Sequence, residues 1–85
     1  MPVIQMYTTA ICPYCVAAKN LLKSRDLEWE EIRVDTDPAR RAEMLERSSG
    51  QRTVPQIFVN DVHVGGFQQL AEADRSGRLG ELLEA

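Results

Sequence analysis

Cysteine and histidine are scarce in this sequence, and their scarcity limits the chemistry open to it. The 85 residues include two cysteines and one histidine. Two cysteines are too few for the disulfide framework of a small secreted domain. A closed zinc site needs four ligands, which two cysteines and one histidine do not supply within one chain. The two thiols therefore form either a redox pair or an inert buried pair, and we expect no permanently bound cofactor.

The sequence also lacks long apolar runs and a basic leader. No window approaches the 18 or so consecutive apolar residues that indicate a membrane-spanning helix. The opening residues, MPVIQMYTTA, have neither the basic segment nor the long apolar segment of a secretory signal. We therefore expect a complete, unexported, cytoplasmic product without a membrane partner. In that reducing compartment a persistent structural disulfide is rare.

Positive charge is in slight deficit, with 10 Lys and Arg against 13 Asp and Glu and a net charge of −3. Nucleic-acid-binding proteins present a basic face, so this balance argues against a nucleic-acid partner. Charges of both signs alternate through 23–47, which is typical of a solvated surface. With 44% hydrophobic residues and no repeat or linker, residues 1–85 are predicted to form a single domain.

Hydrophobic periodicity predicts the element order β-α-β-α-β-β-α. The predicted strands are 3–7, 29–35, 55–60 and 62–66, and the predicted helices are 13–24, 37–50 and 67–85. A hairpin turn is expected at Asn60-Asp61 and a helix break near Gly77. The first β-α-β unit should be a right-handed parallel crossover, whereas the hairpin strands must be antiparallel. The predicted fold class is therefore α/β, with a mixed four-stranded sheet flanked by helices.

Two of the predicted helices have a recognisable inward face. The residues expected to face inward are Cys15, Ala18 and Leu22 in the first helix and Ala42, Met44 and Leu45 in the second. Lys19 and Lys23 fall on the opposite side of the first helix. The second helix begins at Asp37-Pro38, a typical start signal.

Both cysteines lie in the stretch Cys12-Pro13-Tyr14-Cys15, where the first helix begins. Pro13 suits the first helical position, where its missing N–H costs nothing. Helical residues three apart have Cβ atoms about 5–6 Å apart, and a disulfide needs Cα atoms about 4.4–6.8 Å apart. Cys12 and Cys15 can therefore be bridged or reduced with little movement. A C-x-x-C after the first strand of a β-α-β unit is typical of a thioredoxin-like redox site.

The two thiols are expected to differ in role. Cys12 lies at the helix N-terminus, where free N–H groups favour a thiolate and should bring its pKa below the reference of about 8.5. Because the thiolate is the attacking species, Cys12 is predicted to be the nucleophile and the buried Cys15 the resolving thiol. A protease-like pair would need His63 beside Cys12. We expect His63 to be a surface or half-buried strand residue instead.

The segment Arg52-Thr53-Val54-Pro55 allows two interpretations. A proline before a strand is sterically permitted, so the segment is either a plain strand start or, in a thioredoxin-like fold, a loop beside Cys12. In the second case a cis bond between Val54 and Pro55 would present the Val54 backbone to an extended substrate.

The segment Gly65-Gly66-Phe67-Gln68-Gln69 also allows two interpretations. Glycine is the default turn residue, so the pair of glycines is consistent with a tight turn alone. Alternatively, the glycines let a ligand approach the backbone, and the N–H groups of the following helix bind a carboxylate.

Together, the stretches CPYC, TVPQIFV and VGGFQQL resemble the dithiol glutaredoxins, especially the small bacterial glutaredoxin 3-like kind. The similarity covers nearly the whole chain, including EMLERSSG and LGELL. It implies a thioredoxin fold and glutathione as co-substrate. It also implies reduction of glutathionylated substrates by Cys12 alone, and of protein disulfides, such as that of ribonucleotide reductase, by Cys12 and Cys15 together.

The resemblance further implies where glutathione lies. The implied contacts are Tyr14, Thr53, Val54, Pro55, Gly66, Phe67 and Gln68, with the peptide backbone paired to that of Val54. Two positions depart from the family pattern. Thr9 replaces the usual lysine three residues before the first cysteine, so Arg52 or Gln51 would have to meet the glycyl carboxylate. Gln68 and Gln69 stand where an aspartate usually pairs with the γ-glutamyl ammonium, which predicts weaker or less selective glutathione binding.

Two alternatives follow from the same fold. The NrdH-type redoxins, which are reduced by thioredoxin reductase, lose glutathione contacts, but their C-M-Q-C or C-V-Q-C and W-S-G-F signatures are absent here. Some glutaredoxins hold a [2Fe–2S] cluster between two subunits through the first cysteine and glutathione, which Pro13 disfavours. Otherwise we expect a monomer.

Overall fold

A mixed four-stranded sheet lies at the centre of the protein, in a computed structural model that describes residues 3–84. The elements are β1 Ile4–Thr8, α1 Pro13–Ser24, β2 Glu30–Arg33, α2 Pro38–Arg47, β3 Gln56–Val59, β4 Val62–Gly65, α3 Phe67–Ser76 and α4 Arg78–Glu84. The strand order is β2-β1-β3-β4, with β1 parallel to β2 and the other two pairings antiparallel. The predicted element order and mixed sheet are therefore confirmed. None of these helices has the length and apolar character to cross a membrane.

The observed boundaries lie within a few residues of those predicted. Helix α2 ends at Arg47 rather than Gly50, because Ser49 and Gly50 have φ values of 60° and 90°, which a helix cannot continue. The break expected near Gly77 separates α3 from α4, and Gly77 takes the left-handed conformation that favours glycine, with φ 86°. Ala85, the last residue of the predicted helix, lies outside the described residues.

Side chains of the central strands contribute to two hydrophobic cores, one on each face of the sheet. The core beneath α1, α3 and α4 consists of Ile4, Met6, Ala18, Leu22, Ile57, Val59, Leu70, Ala73 and Leu79. The core beneath α2 consists of Tyr7, Ile32, Val34, Met44 and Phe58. Met6 and Tyr7 are sequence neighbours in different cores, as are Ile57 and Phe58, because side chains alternate along a strand.

The predicted inward face of α2 is partly wrong. Met44 is fully buried and Leu45 is half-buried, but Ala42 is exposed. Successive residues of an α-helix are rotated by about 100°, so residues two apart point to nearly opposite sides. Ala42 and Met44 therefore cannot both face the sheet. In α1 the predicted stripe is confirmed, since three side chains are 0% exposed: Cys15, Ala18 and Leu22.

A hydrogen-bonded cluster links α1 to β1 and β2. Glu31 accepts a hydrogen bond from Lys19 Nζ at 2.8 Å and another from the buried Thr8 hydroxyl at 3.0 Å. Lys19 is thus paired, although its position opposite the buried stripe indicated only a solvated side chain. The hydrogen bond from Lys19 is the largest of the effects that hold the pKa of Glu31 below its ordinary value.

Glu31→Gln should lower the free energy of unfolding near neutral pH by less than about 1 kcal/mol, the usual worth of a partly exposed ion pair. The pKa of Glu31 is lower in the folded protein, so its contribution is present above the unfolded-state pKa and is lost as the pH falls through the folded value. The difference from wild type should close below about pH 4. Urea unfolding near neutral pH and again below about pH 4 measures this difference in the free energy of unfolding. Glu28→Gln removes the same charge from an exposed side chain and should have no effect at either pH.

Candidate active site

The two cysteines lie where α1 begins. Cys12 has an extended backbone and is the N-cap, Pro13 is the first helical residue, and Cys15 lies within the first turn. The Cα atoms of Cys12 and Cys15 are 5.2 Å apart, inside the predicted range, and the two sulfurs form a disulfide. The Cys15 N–H donates a hydrogen bond to Cys12 Sγ at 3.1 Å. Cys12 is half-buried whereas Cys15 is 0% exposed, so only Cys12 can meet an incoming sulfur.

The loop before β3 lies against Cys12. The Val54–Pro55 bond is cis, as the thioredoxin-like interpretation of this segment requires. The carbonyl oxygen of Val54 lies 3.7 Å from Cys12 Sγ. The structure thus brings together two segments that are far apart in sequence, and the Val54 backbone borders the sulfur that the sequence predicts to be the nucleophile.

A groove of about 210 Å³ extends from this point. It is lined by Tyr14, Thr53, Val54, Pro55, Gly66, Phe67, Gln68 and Gln69. The first seven are the residues that the sequence predicted as contacts for glutathione. The rings of Tyr14 and Phe67 stack across the groove with centroids 6.2 Å apart and planes at 27°. Arg52 is exposed and does not line the groove, and it forms no ion pair within residues 3–84.

Gln69 also lines the groove, although the resemblance did not imply it as a contact for glutathione. Its Oε1 accepts a hydrogen bond from the Gly66 N–H at 3.0 Å, so one backbone donor at the start of α3 is covered by the helix's own side chain. Gly65 has φ 122°, and a Cβ there would come within 3.0 Å of the Gln69 side chain. A glutamine three residues after an N-cap is a known capping signal, which could have identified this contact.

An ion pair anchors the loop that leads to Cys12. Asp35 Oδ2 accepts a hydrogen bond from the Ala10 N–H at 3.1 Å, and Arg33 donates two hydrogen bonds to the same carboxylate at 2.8 and 2.7 Å. Arg33 holds the pKa of Asp35 well below its ordinary range. Asp35 therefore stays ionised and fixes the loop before the nucleophile. Ile11 in this loop is 93% exposed.

His63 lies on β4 and is half-buried, as predicted. Its contacts are to the Phe58 ring and the Gln56 side chain, so the protease-like cysteine–histidine pair gains no support. Within residues 3–84, no group of three or more His, Cys, Asp or Glu side chains is placed to hold a metal ion.

Known proteins with this architecture were found by sequence and by structure. A family model described as glutaredoxin matches residues 4–64. A glutaredoxin of Pseudomonas aeruginosa is 47% identical over 85 residues, covering 100% of each chain. The solution structure of a glutaredoxin from Brucella melitensis matches with a TM-score of 0.81 and 46% identity, covering 95% of this chain and 87% of that one. The crystal structure of a buckwheat glutaredoxin–glutathione complex matches with a TM-score of 0.85 and 29% identity, covering 98% and 77%.

These matches confirm the thioredoxin-like fold and span both segments that meet at the site. The matched range contains Cys12 and Cys15 as well as the loop with the cis bond. The chain therefore belongs to the glutaredoxin family, whose paired cysteines support activity as a thiol–disulfide oxidoreductase.

Proposed function

We propose that this protein is a glutathione-dependent oxidoreductase that reduces glutathione mixed disulfides and protein disulfides. The observation that carries this proposal is the groove that runs from the Val54 backbone, 3.7 Å from Cys12 Sγ, to the start of α3. The similar buckwheat glutaredoxin was crystallised with glutathione. Glutathione with its sulfur at Cys12 would lie along the residues that line this groove.

In the first reaction Cys12 acts alone. Its thiolate attacks the glutathione sulfur of a mixed disulfide, a Cys12–glutathione disulfide forms, and the substrate leaves as a thiolate that takes a proton from solvent. A second glutathione thiolate then attacks the glutathione sulfur on Cys12. Oxidised glutathione leaves, and the Cys12 thiolate is regenerated.

In the second reaction both cysteines take part. The Cys12 thiolate attacks a protein disulfide and releases one protein thiol, leaving a mixed disulfide on Cys12. Cys15, 5.2 Å away between Cα atoms, then attacks Cys12 Sγ and releases the second thiol. The resulting Cys12–Cys15 disulfide is the state seen here, and two glutathione molecules reduce it, forming one oxidised glutathione.

Within the groove the Val54 backbone pairs with the cysteinyl unit of glutathione, and Thr53 and Pro55 support it. The γ-glutamyl carboxylate lies at Gly66, Phe67 and Gln68, where the α3 N-terminus offers the N–H groups of Phe67 and Gln68. The Gly66 N–H is already bonded to Gln69. At the other end, Arg52 is an exposed cation without an ion pair among residues 3–84. Either Arg52 or Gln51 takes the place of the family lysine absent at Thr9.

Gln68→Asp should lower the apparent KM for glutathione by about two- to fivefold, because a carboxylate there can pair with the γ-glutamyl ammonium at an exposed site. Steady-state kinetics with a glutathionylated peptide measure it. Asn20→Asp adds the same charge on the exposed side of α1, two turns beyond Cys12, and should leave the KM unchanged. An unchanged or higher KM for Gln68→Asp would contradict the placement of the γ-glutamyl end.

A coupled assay tests the proposal itself. NADPH consumption that requires both glutathione and glutathione reductase supports it. The departures at Thr9 and Gln68 favour one alternative, a redoxin of the NrdH type, and direct turnover by thioredoxin reductase without glutathione would establish that instead. Anaerobic purification with glutathione that yields a brown dimer would point to a [2Fe–2S] protein.

We place the reaction in the cytoplasm, carried out by a monomer on proteins such as ribonucleotide reductase.

A further inference from the structure

One fully buried polar side chain supports the loop that borders Cys12. Gln56, the first residue of β3, is 0% exposed. Its Nε2 donates to the Thr53 carbonyl oxygen at 3.0 Å and lies 3.3 Å from Thr53 Oγ1 and 3.1 Å from Gln51 Oε1. The amide of Gln56 therefore holds residues 51–53 from beneath, immediately before Val54.

The orientation of this amide determines what His63 must do. The Thr53 carbonyl oxygen can only accept, so the Gln56 nitrogen must face it and the Gln56 oxygen must face the other way. On that side His63 Nε2 lies 2.7 Å from Gln56 Oε1. Because an amide oxygen is only an acceptor, His63 Nε2 must carry a hydrogen and donate it. His63 thus completes the hydrogen bonding that keeps the Gln56 amide turned toward Thr53.

His63 is itself held in place by the face of the sheet that α2 covers. Its ring stacks on Phe58 with centroids 4.8 Å apart and planes at 26°, and the Arg47 guanidinium lies 4.0 Å from the Phe58 centroid. Burial, and then the charge of Arg47, lower the pKa of His63. The neutral imidazole with its hydrogen on Nε2 is therefore the resting form near neutral pH, and it leaves Gln56 Oε1 with a donor.

We infer that His63 is a positioning residue for the substrate loop, which acts through Gln56 to hold Thr53 and the Val54 backbone against Cys12. The inference rests on the proposed function, because that loop is the part of the groove that would pair with glutathione. It assigns His63 to substrate binding rather than to the reactivity of the thiol. The chain of contacts reaches the Thr53 carbonyl and does not touch the helix N-terminus that stabilises the Cys12 thiolate.

His63→Phe keeps an aromatic ring against Phe58 but removes the hydrogen donor. We expect the KM for a glutathionylated peptide to rise about three- to tenfold, the size expected for loss of one buried hydrogen bond, with little change in kcat. His63→Gln places an amide nitrogen where Nε2 was and should restore the KM. Gln56→Met keeps the length of the side chain but removes the donor to Thr53, and it should repeat the defect of His63→Phe. The rate of Cys12 alkylation should be the same in all four proteins.

Amide NMR spectra of residues 51–54 give a readout that does not depend on glutathione. These resonances should shift in His63→Phe and return toward wild type in His63→Gln. Unchanged spectra and KM in a folded His63→Phe protein, or an alkylation rate that falls in step with the KM defect, would overturn the inference. If wild type shows no glutathione-dependent turnover, the proposed function fails, and the spectra still decide whether His63 positions the loop.

Discussion

Cys12→Ser abolishes the reduction of glutathione mixed disulfides, whereas Cys15→Ser leaves most of that activity and loses the reduction of protein disulfides. This is the result we expect, because Cys12 is the N-cap of α1 and is partly exposed beside the groove, while Cys15 is 0% exposed and can reach only Cys12. The first reaction needs one thiolate, and the second needs a resolving thiol. Parallel assays with a glutathionylated peptide and with a protein disulfide measure the two activities.

The same pair of variants can be checked by alkylation of the reduced proteins across a pH series. In Cys15→Ser the remaining thiol should react as a thiolate with an apparent pKa below about 8.5, the value for an unperturbed cysteine. In Cys12→Ser the remaining thiol should react slowly at every pH, since it is buried. Equal reactivity of the two thiols, or full activity of Cys12→Ser, would contradict the assignment of the nucleophile.

Phe58→Ala should destabilise the protein by about 3–5 kcal/mol, the usual cost of removing a buried aromatic side chain. Phe58 is 2% exposed and lies edge-on to Tyr7 with ring centroids 5.7 Å apart. The Arg47 guanidinium and the His63 ring also lie against it. An 85-residue domain rarely has more than about 5–15 kcal/mol of total stability, so this one change should remove much of it. Urea unfolding of the reduced protein measures the loss.

Phe67→Ala is the matched control, since the chain has only two phenylalanines. Phe67 is half-buried at the edge of the groove and stacks on Tyr14, so its removal leaves no sealed cavity. We expect a loss of stability below about 1.5 kcal/mol, because little apolar area returns to water. Equal losses for the two phenylalanines would mean that the α2 face of the sheet is not a principal core.

The starts of α1 and α2, the end of α3 and the hairpin turn could be read from the sequence because their causes are local. Pro13 and Pro38 stand at first helical positions, and Gly77 takes the left-handed conformation that ends α3. Asn60 and Asp61 both have positive φ in the hairpin turn, as that turn type requires. Each of these outcomes depends on a residue and its near neighbours along the chain.

The candidate site was predictable in a different way. The residues of the groove come from three separate segments, and periodicity alone does not bring them together. The family resemblance identified seven of its eight lining residues, and the structure adds Gln69. Of the six residues predicted to face inward, Ala42 is the one that is exposed. It shows the limit of short apolar patterns, because only packing decides which side of a polar helix meets the sheet.

By itself the sequence determined the element order, the pair of thiols at a helix start and the turn positions, because these depend on backbone conformation and on contacts within a few residues. Only the tertiary structure decided that Asp35 holds the loop at Ala10, that Glu31 joins Thr8 to Lys19, and that His63 meets Gln56. Such pairs depend on which strands lie side by side and in what register. A polar side chain carries no signal of its partner until the sheet has brought the two within hydrogen-bonding distance.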